Sequence, residues 1–143
     1  PRGATRWIDA QKLSDDPTRS EQNAVLFTAP DGALWLLWTA QRGGNQDTAL
    51  IRCRISRNGG ESWGPIETLI PEKPGFGTFV RSRIVVNARG EWLLPIWRCT
   101  RSYCGWSGRP MPPRMCSTDW SSKIVRLSCT WEHQGWESSS ERL

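Results

Sequence analysis

The stretch "SRNGGESWGPIETL", residues 56–69, places a polar turn directly before a tryptophan and a short apolar run. Ser56 and Asn58 belong to the residue types whose side chains accept hydrogen bonds from backbone amides within turns. Gly60 tolerates a positive φ, and Trp63 offers a large apolar side chain that a neighbouring layer can cover. The stretch therefore predicts a capped turn at the rim of a sheet, with Trp63 buried behind it.

The chain repeats itself with a period close to the length of one small β unit. Trp7 and Trp63 lie 56 residues apart, and the turn glycines Gly32 and Gly90 lie 58 residues apart. Two independent landmarks with nearly the same spacing indicate a structural repeat. The repeated hairpin reads "AVLFTAPDGALWLLW" (24–38) and then "RIVVNARGEWLLPIW" (83–97).

Each repeat has the pattern of four antiparallel strands. Asp-Gly between two apolar runs, as at Asp31-Gly32, is a strong hairpin signal, and continuous apolar runs are typical of strands covered on both faces. Four strands repeated at this spacing predict an all-β fold made of β-propeller blades, each of which buries its faces against its neighbours. In the first repeat the predicted strands are 24–29, 33–39, 48–56 and 62–69.

Residues 56–63 resemble the Asp-box, Ser-x-Asp-x-Gly-x-Thr-Trp, and residues 6–100 resemble the sialidase-like BNR-repeat proteins of bacteria and fungi. Asn58 stands where that motif has Asp, and Ser62 stands where it has Thr. The resemblance implies a sialidase-like six-bladed propeller in the full-length parent, with about two blades here. It gives the Asp-box a structural role, carried by Ser56, Asn58, Gly60, Ser62 and Trp63.

The chain begins with Pro1, so we expect a piece of a longer protein. Beyond residue 105 the resemblance fades, and the Gly-bearing turn expected before Trp131 is missing; a divergent blade and an aberrant chain end both explain this. We predict one partial propeller domain over 1–143. It divides into the last strand of a preceding blade (1–13), one blade (14–69), a second blade degraded at its end (70–131) and an atypical tail (132–143).

Composition limits the function classes. The net charge of +5 comes from dispersed arginines, which suits a solvated surface or recognition of anionic ligands. Nucleic acid is not an expected partner, because the aromatic residues fall on predicted strand positions and not in a basic groove. No apolar window is long enough for a membrane span. The five cysteines lack paired CxxC spacing, so we expect no metal and no cofactor; reduced thiols and a Cys99–Cys104 bridge stay as alternatives.

Strand order assigns the loops to two ends of each blade. The turns at 30–32 and 57–61 share one end, and the longer, more polar loops 14–23, 40–48, 72–81 and 98–109 share the other. Binding sites favour long loops on a rigid scaffold, so we expect a site at that end. The candidate substrate-binding residues there are Arg81, Glu21, Gln22, Asn23, Asn45, Gln46 and Asp47.

Each candidate has a structural alternative. Arg81, predicted to start the innermost strand of the second blade, either grips a ligand carboxylate with its planar guanidinium or forms a salt bridge between blades. The other six serve either a ligand or loop-stabilising hydrogen bonds.

The resemblance implies a glycoside hydrolase of the exo-α-sialidase type that acts on terminal acidic sugars. Family enzymes use an arginine cluster, a carboxylic acid as acid/base, and a tyrosine nucleophile assisted by glutamate. Most of that set belongs to blades absent from this chain, so we assign no catalytic residue and expect the isolated piece to be inactive. The alternative function is a noncatalytic carbohydrate-binding or scaffold propeller. The expected partners are an acidic sugar and the remaining blades.

Overall fold

A computed structural model describes residues 5–6, 9–43, 45–100, 120–127 and 138–139. The described part is all-β, with a one-turn 3-10 helix at Gln46–Thr48. Its strands are β1 (Arg19–Thr28), β2 (Leu34–Arg42), β3 (Leu50–Ser56), β4 (Glu67–Ile70), β5 (Phe76–Val80), β6 (Val85–Val86), β7 (Trp92–Thr100), β8 (Trp120–Leu127) and β9 (Ser138–Ser139).

The first sheet is an antiparallel meander in the order β1-β2-β3-β4. Its first hairpin closes through residues 30–32, where the Ala33 amide donates to Asp31 at 3.0 Å and Gly32 adopts a φ of 84°. Thr28 pairs with Leu34 near this turn, and Leu34 pairs with Ser56 at the start of the Asp-box. The two turns therefore lie at one end of the sheet, and the longer loops lie at the other, as predicted.

Two strands of the first sheet begin about five residues from their predicted starts. β1 begins at Arg19 and not at residue 24, because residues 19–22 pair with β2, from Arg19 opposite Arg42 onward. The guanidinium of Arg19 is almost fully buried and donates to the Thr48 carbonyl at 3.1 Å and to Glu72 at 3.0 Å. The positive charge of Arg19 is therefore paired with the Glu72 carboxylate although it is removed from water. β4 begins at Glu67 and not at residue 62.

The second sheet repeats the same architecture. β5 and β6 both pair with β7, so they form two halves of one interrupted strand, and β8 and β9 follow. Arg81 lies in this interruption, after β5, and is exposed. The prediction that Arg81 starts the innermost strand is therefore wrong; the strand starts at Phe76, where a turn is closed by the Phe76 amide bonding to the Lys73 carbonyl at 3.0 Å.

The two sheets pack face to face through one apolar core. Leu37 and Ile51 of the first sheet and Leu94 and Ile96 of the second are almost fully buried within it. Each such side chain contributes about 1.5–3 kcal/mol by leaving water. The Trp92 ring meets the Trp35 ring edge-on, with centroids 5.4 Å apart. Stacked four-stranded sheets of this kind are propeller blades.

The Asp-box is a hydrogen-bonded cap. The Ser56 hydroxyl accepts from the Gly60 amide at 2.9 Å, and Asn58 Oδ1 accepts from the Ser62 amide at 2.9 Å. Gly60 has a φ of 96°, the left-handed conformation that glycine adopts without strain. The sequence predicts a buried Trp63, but its side chain is only partly buried, because the segment from Trp63 to β4 runs outside the strand ladder.

Two of the cysteines lie in the described part of the chain. Cys53 and Cys99 are both buried. Cys104, the other half of the bridge that stays an alternative, lies outside the described residues. Burial raises the pKa of Cys53 to about 12, with a further contribution from Glu67. The predicted loop 98–109 beyond residue 100 lies outside the described residues.

Candidate functional site

A groove with a volume of about 310 Å³ opens beside the polar half of β1, on the face of the first sheet that points away from the second. We call it the β1 groove. The segment 12–18 crosses this face before β1 and is called the strap; its residues 12–14 form one wall of the groove. The lining residues are Lys12, Leu13, Ser14, Glu21, Gln22, Asn23, Ala24, Leu36 and Trp38.

A β-bulge shapes the wall of the groove that β1 contributes. The pairing of β1 with β2 shifts between Gln22 and Val25, so Asn23 and Ala24 fall outside the ladder. Asn23 has a φ of 57°, and within the described part of the chain it is the one residue other than glycine with positive φ. Its Nδ2 is buried and has no hydrogen-bond partner. Strained backbone and unsatisfied polar atoms of this kind concentrate at functional sites.

Glu21 is held by three neighbours. Its Oε1 accepts from the indole nitrogen of Trp38 at 2.7 Å, and its Oε2 accepts from the Ser14 hydroxyl. Arg52 lies 3.8 Å from Oε1. Glu21 therefore fastens the strap to the sheet as an acceptor.

Asp16 is the second anchor of the strap. It accepts from the Thr18 hydroxyl at 2.6 Å and from the Thr18 amide at 2.9 Å, and it pairs with Arg52 at 2.7 Å. The hydrogen bonds from Thr18, followed by Arg52, lower the pKa of Asp16 to about 2. By contrast, Lys12 pairs with Asp15 at 2.6 Å with both side chains largely exposed, and such pairs contribute little.

The sequence-predicted candidates separate into two groups. Glu21, Gln22 and Asn23 come together in the β1 groove, on a strand and not in the predicted loop. Gln22 also donates to Gln41 at 3.2 Å. The remaining candidates, Asn45, Gln46, Asp47 and Arg81, do not line this groove.

The candidates of the second loop form the 3-10 turn, which packs against the second sheet. Asn45 caps the turn by accepting from the Asp47 amide at 3.2 Å, and Gln46 Oε1 lies 3.5 Å from the thiol of Cys99. The Thr78 amide donates to the Ala49 carbonyl at 3.0 Å. The turn therefore connects the first sheet to the second through hydrogen bonds, which is the kind of contact that the alternative of loop-stabilising hydrogen bonds describes.

Sequence reasoning missed the strap residues that line the groove and the side chains beneath it. Lys12, Leu13 and Ser14 carry no motif, because nothing in their own sequence shows which face they cross. Trp38 and Arg52 left a signal: they are directly paired across β2 and β3, and period-2 alternation puts them on one face.

Among the described residues no group of three His, Cys, Asp or Glu side chains is arranged to hold a metal ion. No helix in that part of the chain is long and apolar enough to cross a membrane. No curated protein matches the chain. The profile of the BNR repeat-like domain matches residues 1–139, nearly the whole sequence. Together with the Asp-box cap and the two stacked four-stranded units, this match establishes that the chain belongs to the BNR repeat-like family.

Proposed function

We propose that this chain is part of a sialidase-like β-propeller and that its β1 groove binds a terminal acidic sugar. One observation carries the proposal: the buried Nδ2 of Asn23 has no partner and belongs to a residue that lines the groove. A buried amide without an acceptor costs about 1–3 kcal/mol. A ligand oxygen that accepts a hydrogen bond from Nδ2 removes that cost. The groove with such a ligand bound is therefore favoured over the groove in which Nδ2 stays without an acceptor.

The lining suits a sugar ring. Leu13 and Leu36, both partly exposed, supply apolar surface for the C–H face of a pyranose, and Gln22 and Asn23 supply amides for its hydroxyls. Sites that bind small molecules combine apolar walls with a few oriented polar groups in this way.

Lys12 supports the acidic class of sugar. It lines the groove, and its pair with Asp15 is exposed on both sides. Exchanging that pair for a ligand carboxylate therefore costs little. Glu21 does not oppose the exchange strongly, because its own charge is compensated by Trp38, Ser14 and Arg52. A carboxylate contact from Arg81 remains a separate prediction for the longer parent.

Hydrolysis is proposed for the longer parent and not for this chain alone. Glu21 is the one carboxylate among the residues that line the β1 groove. Both of its oxygens already accept hydrogen bonds, from Trp38 and Ser14, so neither is placed to donate the proton that glycoside cleavage requires. We expect the purified chain to bind a sialoside and to release no product from a fluorogenic one.

The test compares two Asn→Asp changes. Asn23→Asp keeps the side-chain shape and the tolerance of positive φ, but it replaces the Nδ2 donor with an acceptor. Asn45→Asp makes the same chemical change outside the groove and keeps the oxygen that caps the 3-10 turn. We expect Asn23→Asp to weaken binding of sialyllactose about fivefold or more, since a lost hydrogen bond to a neutral hydroxyl costs about 1 kcal/mol.

Calorimetric or NMR titration measures both variants, with lactose as the neutral ligand. Asn45→Asp should bind like the unmodified chain, and lactose should bind more weakly than sialyllactose. Equal affinity of the chain and Asn23→Asp for sialyllactose would exclude the β1 groove as the site. Equal affinity for lactose and sialyllactose would exclude acidic-sugar specificity.

A further inference from the structure

A single guanidinium joins the groove wall to the Asp-box. Arg54, on β3, donates through Nη1 to the Leu13 carbonyl at 2.7 Å. The same side chain donates through Nε to the Gly64 carbonyl at 2.7 Å and through Nη2 to the Trp63 carbonyl at 3.1 Å. The strap and the segment that leaves the Asp-box are therefore tied to one partly buried side chain.

The geometry of these bonds depends on the shape of the guanidinium. All three partners are neutral carbonyls, so these hydrogen bonds require a planar group whose N–H donors point in several directions, and they do not require a charge. A lysine ammonium keeps the charge but lacks this fixed fork. Arg52 lies two positions earlier on the same face of β3 and holds the strap at Asp16. Two arginines of one strand thus fasten the strap at two points.

We propose that Arg54 is a positioning residue that fixes the strap wall of the β1 groove and, through it, the affinity of the groove for its ligand. Arg54 does not line the groove, whereas Leu13, whose carbonyl it binds, does. Its effect on a ligand passes through the strap. The part of the proposal that concerns affinity rests on the sugar-binding function proposed above; the part that concerns the strap does not.

The same arrangement gives the Asp-box a second role. Arg54 connects the carbonyls of Trp63 and Gly64 to the strap, so the cap at the turn end and the wall of the groove share one anchor. Loss of the hydrogen bonds donated by Arg54 should release the strap from the sheet while every residue of the apolar core stays in place.

The test uses Arg54→Lys in the full chain, with Arg57→Lys as the matched control. Arg57 lies in the Asp-box turn, and its pair with Asp31 at 3.8 Å is largely exposed. Hydrogen exchange of the Thr18 amide, which donates to Asp16 within the strap at 2.9 Å, measures the strap. Exchange of the β2 amides serves as the internal reference for an intact fold, and sialyllactose titration measures the groove.

We expect Arg54→Lys to raise strap exchange about tenfold and to weaken sialyllactose binding several-fold, with β2 exchange unchanged. Arg57→Lys should match the unmodified chain in all three measurements. If Arg54→Lys does not fold, Arg54→Gln, a smaller amide donor, is measured in the same way.

Two results would overturn the proposal. One is unchanged strap exchange in Arg54→Lys; the other is raised strap exchange with unchanged sialyllactose affinity. If the unmodified chain binds no sialyllactose, the sugar-binding function fails, and strap exchange alone decides whether Arg54 positions the wall.

Discussion

Gly77 packs directly on the backbone of the 3-10 turn and gives the sharpest stability prediction. A Cβ at this position would lie 2.0 Å from the Gln46 carbonyl oxygen and 2.9 Å from its carbon. Both of these are backbone atoms, so no side chain can rotate away. Carbon and oxygen cannot approach so closely, and the 3-10 turn or β5 must move by about 1 Å to accommodate Gly77→Ala.

The cost follows from what that movement breaks. The amide of Thr78, next to Gly77, donates to the Ala49 carbonyl at 3.0 Å, and separating the two segments lengthens this bond. Overpacking costs about 1–3 kcal/mol, and a buried polar group left without a partner costs about 1–3 kcal/mol. We therefore expect Gly77→Ala to lower the free energy of unfolding by about 2–5 kcal/mol, a large share of the stability of an ordinary domain.

Urea unfolding followed by tryptophan fluorescence measures this change, because the chain contains 10 tryptophans. The control is Gly32→Ala. Gly32 has a φ of 84° but open space around its missing Cβ, so this variant should lose about 1 kcal/mol from backbone strain alone. If Gly77→Ala lost no more than Gly32→Ala, the close packing of the 3-10 turn on β5 would be refuted.

Two further predictions concern charge and a buried hydrogen bond. The pKa of Asp16 lies at about 2, below the ordinary value near 4, so its stabilising effect is present above pH 4 and disappears as the pH falls towards 2. The melting temperature of Asp16→Asn should therefore lie below that of the unmodified chain at pH 7 and approach it near pH 2; a gap that does not narrow would contradict the assignment. Thr39 is fully buried, and its hydroxyl accepts from the Val80 amide at 3.0 Å, so Thr39→Val should cost about 1–3 kcal/mol in urea unfolding while Thr39→Ser costs less. Equal losses in the two variants would show that the hydroxyl is not what matters.

The sequence by itself determined the fold class and the Asp-box turn. The continuous apolar runs and the Asp31-Gly32 hairpin are local signals, because each depends on residues close together in the chain, and the 58-residue spacing of the turn glycines shows that the same local pattern is repeated. The Asp-box cap is equally local, since Ser56, Asn58 and Gly60 satisfy one another within a single turn. Local hydrogen bonding and backbone preference were therefore enough to predict these elements.

The start of β1 and the burial of Trp63 were decided by tertiary structure. Polar residues 19–23 resemble a loop until β2 supplies their ladder and Glu72 pairs with Arg19. Trp63 is only partly buried, because the carbonyls of Trp63 and Gly64 bind Arg54 and the segment stays outside the sheet.

The β1 groove was likewise hidden from sequence reasoning. It requires the strap to cross a face that the apolar runs predict to be covered by a neighbouring blade, and it requires Asn23 to leave the ladder at a bulge. Glu21, Gln22 and Asn23 were found as candidates because they are polar residues at the long-loop end. Lys12, Leu13 and Arg54 were not, because their roles come from contacts with residues distant in the chain. Local conformational preferences can be predicted from residues adjacent in the sequence. The β1 groove, by contrast, is formed by the strap and β1 together, so it exists only after both segments have packed on the same sheet.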